Sequence, residues 1–324
     1  MAHSGTVSPA AGLRGSSAQA KTGGGTWRMV AAMLLSGTIG LVVIESGLHV
    51  ELVVLLRCLL GALGLGAWLW WRKAWVAPSR SGFWMMAAGG AALVGNWVAL
   101  FHAYAYVGIA VATVVYHVQP FLLVLAAALG GEALRWRQWP WMLLALAGVV
   151  LTSGLRTDAA LAGTHAAAGL PVWGVLLALL AAALYTVTVI TTRRVKNTAP
   201  AQIAMVQMLA GGSLLALWQA PAMAAMVLQG WQQPQGVPLT QTVACVLVVG
   251  LVHTSLMYGL MYGAFQRLGA AAIAMLSFVY PAVALLVDLW WFGAHPAPAQ
   301  WLGMGLIVVA VVGYRWQELR AVQR

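Results

Sequence analysis

The chain is written in long apolar runs of about twenty residues, separated by short clusters of Gly, Pro, Ser and basic residues. A run of that length is what an α-helix needs to cross a hydrocarbon core ~30 Å thick. The runs are continuous, whereas a barrel strand alternates apolar and polar residues over about 10 positions. Reading runs against breakers predicts ten helices, at 28–45, 52–71, 83–105, 108–130, 138–155, 171–192, 201–219, 240–264, 269–292 and 299–316. The links at 106–107 and 265–268 are so short that the helices they join must be antiparallel neighbours. The pattern therefore predicts an all-α polytopic membrane protein with ten transmembrane helices.

Composition strengthens that reading, since 62% of the 324 residues are hydrophobic and only 7% are charged. A soluble domain carries about 25% charged residues, so this chain lacks the polar coat that water requires. The net charge of +11 is not one patch, and nucleic acid is not an expected partner. Placing the N-terminus inside puts fifteen of the seventeen Lys and Arg residues on the inner side. Arg156 falls in an outer loop and Arg57 inside a span. That asymmetry is the positive-inside pattern, and it predicts both termini in the cytoplasm. Sixteen of the seventeen tryptophans lie near helix ends or loops, as an aromatic belt requires, and Trp97 is the exception. Cys58 and Cys245 lie in apolar segments with no CxxC spacing, so they read as small core residues. Residues 1–26 are rich in Gly, Ser, Ala and Thr and lack an apolar h-region, so a disordered cytoplasmic tail is expected there rather than a signal peptide.

The run of helices also repeats. "GIAVATVVYHVQPFLLVLAAALGGE" (108–132) lies over "GAAAIAMLSFVYPAVALLVDLWWFG" (269–293) without a gap, Gly108 meeting Gly269 and Pro120 meeting Pro281. Upstream, "VLLRCLLGALGLGA" (54–67) matches "AMVQMLAGGSLLAL" (204–217), which sets Arg57 opposite Gln207 and Gly61 opposite Gly211. The expected organisation is a tail at 1–26, a five-helix repeat at 27–155, a periplasmic linker at 156–170, a second five-helix repeat at 171–316 and a cytoplasmic tail at 317–324. An odd number of helices per half makes the second half insert upside down, a geometry on which alternating-access transporters are built.

These features carry a resemblance. The two five-helix halves, the Gly108–Pro120 and Gly269–Pro281 stretches and the "GGEALRWRQWPWMLLALAGVVL" ending of the first half resemble the drug/metabolite transporter superfamily, in particular its EamA-type members. The family's Glu-Xaa-Leu turn before a Gly-containing fifth helix corresponds to Glu132, Leu134 and Gly148, while the second half departs from it with Gly293 in place of the Glu. The resemblance implies a secondary transporter of a small organic metabolite, exporting amino acids or related amphipathic compounds by alternating access through a central cavity. A channel and a membrane-embedded enzyme or lipid-handling protein are the alternatives.

Polar groups in hydrocarbon are costly and tend to face a cavity or another helix. Pro120 and Pro281 are candidate hinges, since each would free a carbonyl one turn earlier. Thr113, Tyr116, His117 and Pro120 share one helical face by spacing, opposed on the ninth span by Ala274, Ser277, Phe278 and Pro281. Tyr116, His117 and Ser277 are accordingly candidates for substrate binding. Asn96 and Trp97 on the third span, Tyr185 on the sixth, and His253, Tyr258 and Tyr262 on the eighth complete the set. His117 titrates near working pH when unperturbed, so protons are candidate partners, although a neutral hydrogen-bonded imidazole fits better. Arg57, the one cation inside a span, has Glu45 across the first hairpin as its expected partner. No HExxH, P-loop or nucleophile elbow is present, so no enzyme activity, cofactor or metal is expected. A small-molecule substrate and the bilayer are the expected partners, for a monomer or a homodimer.

Overall fold

The computed structural model describes residues 9–133, 135–153, 171–229, 236–293 and 295–322. Leu134 and the 156–170 linker with Arg156 lie outside them, as do residues 1–8. Among the described residues the chain is helical and contains no strand. The first half comprises α1 (Pro9–Gly37), α2 (Ile39–Ser46), α3 (Val50–Trp71), α4 (Arg80–Tyr116), α5 (Gln119–Leu129) and α6 (Trp139–Thr152), with a 3₁₀ turn at Trp136–Gln138. The second half comprises α7 (Pro171–Arg194), α8 (Pro200–Trp218), α9 (Ala220–Gln229), α10 (Leu239–Leu247), a π-helical segment (Val248–Leu256), α11 (Met257–Phe265), α12 (Ala270–Ser277), α13 (Val279–Trp290) and α14 (Pro298–Val322).

Nine helices among the described residues are long and apolar enough to cross a membrane. The tenth span corresponds to α6, 14 residues of unbroken apolar character preceded by the 3₁₀ turn. Backbone helicity runs unbroken through α4, yet Asn96 Nδ2 lies 3.3 Å from the Tyr116 hydroxyl. Twenty residues of straight helix would separate them by about 30 Å. The chain therefore folds back between them, and spans three and four are the antiparallel neighbours their short link predicts.

The packing of the two halves is that of a two-fold. α3 lies against α8 and α6 against α14, each a helix against its own counterpart, and α5 lies against α12. The other main contacts come in matching pairs. α4 packs on α7 while α11 packs on α1; α4 packs on α8 while the π segment packs on α3; α5 packs on α7 while α13 packs on α1. The chain thus folds as two inverted five-helix repeats.

Small residues permit this closeness. A Cβ on Gly148 would come within 2.7 Å of the Gly303 carbonyl, and one on Gly303 within 2.6 Å of the Gly148 carbonyl. α6 and α14 therefore touch backbone to backbone, which compensates for the weak hydrophobic drive between helices in lipid. The outer surface bears Leu59, Leu63, Leu125, Leu180, Leu214, Leu251 and Val312, and exposed tryptophans such as Trp70, Trp173, Trp290 and Trp301 sit toward helix ends. An apolar exterior of this kind is stable against acyl chains and not against water.

The ends differ from the expectation. Residues 9–26, expected to be a disordered tail, continue α1. Extending a helix already nucleated by the first span costs far less than starting one, and the Ala, Leu, Arg, Gln and Lys of this stretch are good helix formers. Likewise α14 runs to Val322 through the expected tail at 317 and beyond. There Gln317 Oε1 accepts from Trp141 Nε1 at 2.6 Å, and Arg315 pairs with Glu318. The short helix α9, in the link after α8, was not anticipated by the periodicity.

Candidate functional site

The two prolines break their helices at the same aligned place. α4 gives way to a turn at His117 and Val118 before α5, and α12 gives way at Phe278 before α13. Pro120 and Pro281 lack the amide that would bond the carbonyls of Tyr116 and Ser277 in a continuous helix. The break sends neighbouring side chains to different helices. Tyr116 meets Asn96 and, ring to ring at 6.3 Å, Tyr185. His117 instead stacks on Tyr280 at 5.2 Å and leans on Phe278 at 5.9 Å. The single shared face predicted for Thr113, Tyr116, His117 and Pro120 is therefore split by the turn.

His117 is 2% exposed and its Nδ1 lies 2.6 Å from the Thr113 carbonyl. A carbonyl only accepts, so Nδ1 carries the proton and Nε2, which has no hydrogen-bond partner, is the bare nitrogen. Ser277, aligned with Tyr116, turns its hydroxyl back onto the Ala274 carbonyl at 2.7 Å. Among the described residues, this hydroxyl bond stays within its own helix. Of the other third-span pair, Asn96 is buried and donates to the Ala181 carbonyl on α7 at 2.8 Å, whereas His102 is exposed and bonds its own helix at Val98.

The remaining candidates converge into a ladder between the halves. Arg57, on α3, places its guanidinium 4.1 Å from the centre of the Trp97 ring. Trp97 meets Tyr258 edge-on at 6.2 Å, Tyr258 meets Tyr262 at 5.4 Å, and Tyr262 stacks on Phe265 at 5.5 Å. At the far end the Tyr262 hydroxyl donates to Gln207 Oε1, and Gln207 Nε2 donates to Thr192 at 3.0 Å. Tyr185 reaches the same column through its contact with Met261 Sδ at 3.6 Å. Arg57 and Gln207, paired by the internal repeat, thus cap the two ends of one aromatic stack.

One expectation needs correcting. Arg57 does not pair with Glu45. Glu45 accepts instead from Gln241 at 2.8 Å and Trp291 at 3.0 Å near the outer surface, while Arg57 turns inward and donates to Thr254 at 3.3 Å. The ring of Trp97 and the Thr254 hydroxyl reward the inward rotamer, and Glu45 is already satisfied. His253, placed among the substrate candidates, bonds Thr38 at 2.8 Å at the junction of α1 and α2 and lies near enough to Arg57 to feel its charge. It sits in the π segment, where the wider turn lets Thr254 and Ser255 bond carbonyls five residues back. Such segments recur at functional sites. Periodicity also missed Gln207, Thr192, Thr254 and Tyr280. The repeat had marked Gln207, by setting it opposite Arg57, and nothing in the sequence pointed to Thr254.

A second cluster closes the face that bears the basic loops. Glu132 pairs with Arg193 at 2.5 Å and accepts from the Ala270 amide at 3.2 Å, while Arg193 also reaches the Leu268 carbonyl at 3.4 Å. One carboxylate thus ties the first half to the start of α12 and the end of α7. Burial pushes the Glu132 carboxyl up, but the hydrogen bonds from Arg193 and Ala270 and the Arg193 charge outweigh it and hold the group below its ordinary value. Next to this latch opens a cleft of about 290 Å³ lined by Glu132, Arg135, Ala270, Ala271 and Tyr314 among others. Among the described residues, no group of three or more His, Cys, Asp or Glu side chains is placed to hold a metal.

Comparison with known proteins agrees with this architecture. The model of the EamA-like transporter family matches residues 24–154 and 172–316, one half each. The uncharacterized transporter YxxF of Bacillus subtilis (strain 168) is 27% identical over 287 residues, covering 86% of each chain. A solved crystal structure shares the fold with a TM-score of 0.70 at 23% identity, covering 89% of this chain and 95% of that one.

Proposed function

Because the chain belongs to the EamA-like transporter family, we propose that this membrane transporter works as a secondary carrier, moving a small amphipathic organic solute, amino acids or related compounds among them, past the ladder between its halves. The observation that carries the reading is the ladder itself. Its members come from α3 and α4 of one half and from α7, α8 and α11 of the other. A small rotation of one half against the other would part the column toward either face, as alternating access requires.

The broken helices support the same motion. The turns at 117–118 and 278 interrupt two counterpart helices at mid-length, where each proline already lacks the amide hydrogen bond that a bend would break. The aromatic walls suit an apolar body, and Asn96, Gln207 and the tyrosine hydroxyls suit a few polar anchors. The distribution of Lys and Arg supports a reading with both termini in the cytoplasm, and export is the working direction. His117 and His253 are buried histidines that could serve in proton coupling. Asp288 is exposed, and Glu45 lies at the end of α2.

Flux of labelled amino acids into proteoliposomes, with and without a pH gradient, tests this. A carrier saturates and shows counterflow. Unsaturable conductance without counterflow would assign the chain to channels instead.

A further inference from the structure

Among the described residues, Arg57 is a cation without an anion. It is 4% exposed, seven residues into a membrane-spanning helix, and its Nη2 has no hydrogen-bond partner. Among the described residues the ion pairs are Glu132 with Arg193 and Arg315 with Glu318. Glu45 is engaged with Gln241 and Trp291. Glu51, six residues earlier on the same helix, is rotated about 120° away at 100° per residue. What surrounds the guanidinium is neutral: the Trp97 face, the Thr254 hydroxyl, and beyond them Tyr258 and His253.

An unpaired charge buried in a membrane protein is expensive, and such residues are kept where a partner or a permeating species supplies the opposite charge. The cation–π contact, the bond to Thr254 and the Tyr258 hydroxyl satisfy part of the fork and leave the Nη2 arm free. That arm belongs to the same column as Trp97 and Tyr258, at the interface of the halves. The other end of the column is capped by Gln207, which offers hydrogen bonds but no charge. The two ends of the path thus differ by one positive charge, although the internal repeat makes them counterparts.

We propose that Arg57 is the anion-recognition residue of this site and that the transported solute is a small organic monocarboxylate, or an amino acid through its carboxylate, with an apolar or aromatic body. The carboxylate accepts from Nη2 in a charge-assisted hydrogen bond, and the body lies against Trp97 and Tyr258. This deepens the carrier reading and rests on it. It predicts that charge at one end of the solute matters more than its overall size. It also predicts that the neutral Gln207 end accepts the carboxylate weakly, by hydrogen bonds alone.

The test uses the full chain in phosphatidylcholine nanodiscs and two probes of one shape, phenylacetate and phenylacetamide. Phenylacetate should raise the thermal midpoint and saturate, and phenylacetamide should bind roughly tenfold to a hundredfold more weakly, as the loss of a hydrogen bond to a charged group implies. Arg57→Met should erase the difference between the two, and Arg57→Lys should keep the preference for the acid. Equal binding of acid and amide to the native chain overturns the proposal, whether or not Arg57→Met folds. So does stabilisation that follows added phosphatidylglycerol and ignores phenylacetate, which would make the anion at Arg57 a lipid headgroup. Flux separates the two levels of the argument. Movement of phenethylamine but not of phenylacetate keeps the carrier and refutes Arg57 as its selector. Arg57-dependent binding of phenylacetate with no flux of any solute keeps the anion site and refutes the carrier.

Discussion

Tyr262 shows what one hydroxyl does in this setting. It is fully buried and its single proton goes to Gln207, whose amide in turn holds Thr192 on α7. Tyr262→Phe leaves the ring and its stack on Phe265 in place but strands Gln207 Oε1. The expected cost is about 1 kcal/mol, in line with removal of one buried hydrogen-bond partner, read as a small fall in the thermal midpoint of the purified protein. Flux should fall by more than that stability loss explains, because the polar end of the ladder is then unanchored. An unchanged rate would reduce Tyr262 to packing. At this scale the sequence was only partly legible. Tyr116, Tyr258 and Tyr262 were recognisable as polar aromatics at helical depth, whereas Ser277 looked equivalent to Tyr116 and instead bonds its own helix. A serine can satisfy itself locally within one turn, and a tyrosine hydroxyl cannot reach its own backbone.

The helices meet where side chains are smallest. At the crossing of α6 and α14, Gly148 and Gly303 face each other's carbonyls, so any larger group must push the helices apart. Gly148→Val should destabilise the fold by about 1–3 kcal/mol, the range for overpacking a tight contact. Gly305→Ala, two residues along α14 and facing open space, should leave the thermal midpoint unchanged. Equal effects of the two would show that α14 tolerates any change and that the crossing is loose. The breaks at 117–118 and 278 belong to the same scale. Their approximate positions follow from proline chemistry alone, since each lies just ahead of its proline. That Tyr116 and His117 then part company depends on the three-dimensional course of the turn, which spacing does not describe.

For the whole molecule, the latch at Glu132 ties the two halves together at the face that bears the basic loops. Its carboxyl is held below the ordinary carboxylate range, so the latch is fully formed above that range and is lost as pH falls through the depressed value. A cysteine introduced at Ala271, which lines the adjoining cleft, with Cys58 and Cys245 replaced, should react with maleimide faster as the pH on the basic-loop side is lowered, after correction for thiol ionisation. Arg193→Gln should raise the rate at neutral pH and flatten the pH response. A pH response that survives Arg193→Gln would place the titrating group elsewhere. Glu132 is largely solvent-facing, so this is a matter of which conformation is populated rather than of global stability.

Several things about this protein are decided by the order of residues alone. Hydropathy decides that helices of membrane length form, the Lys and Arg distribution carries an orientation, and the two aligned proline segments imply a doubled fold with its halves inverted. These are local properties, each legible within about twenty residues, because the bilayer demands satisfied backbone bonds and apolar surface from every span separately. The tertiary structure alone decided which groups meet: Arg57 with Trp97 and Thr254 instead of Glu45, Gln207 with Tyr262, His117 with Tyr280, and Glu132 with Arg193. Those pairings depend on how far each helix is rotated and slid against its neighbours. Glycine contacts and a π-helical turn set that to within a few ångströms, and no periodicity in the chain records it.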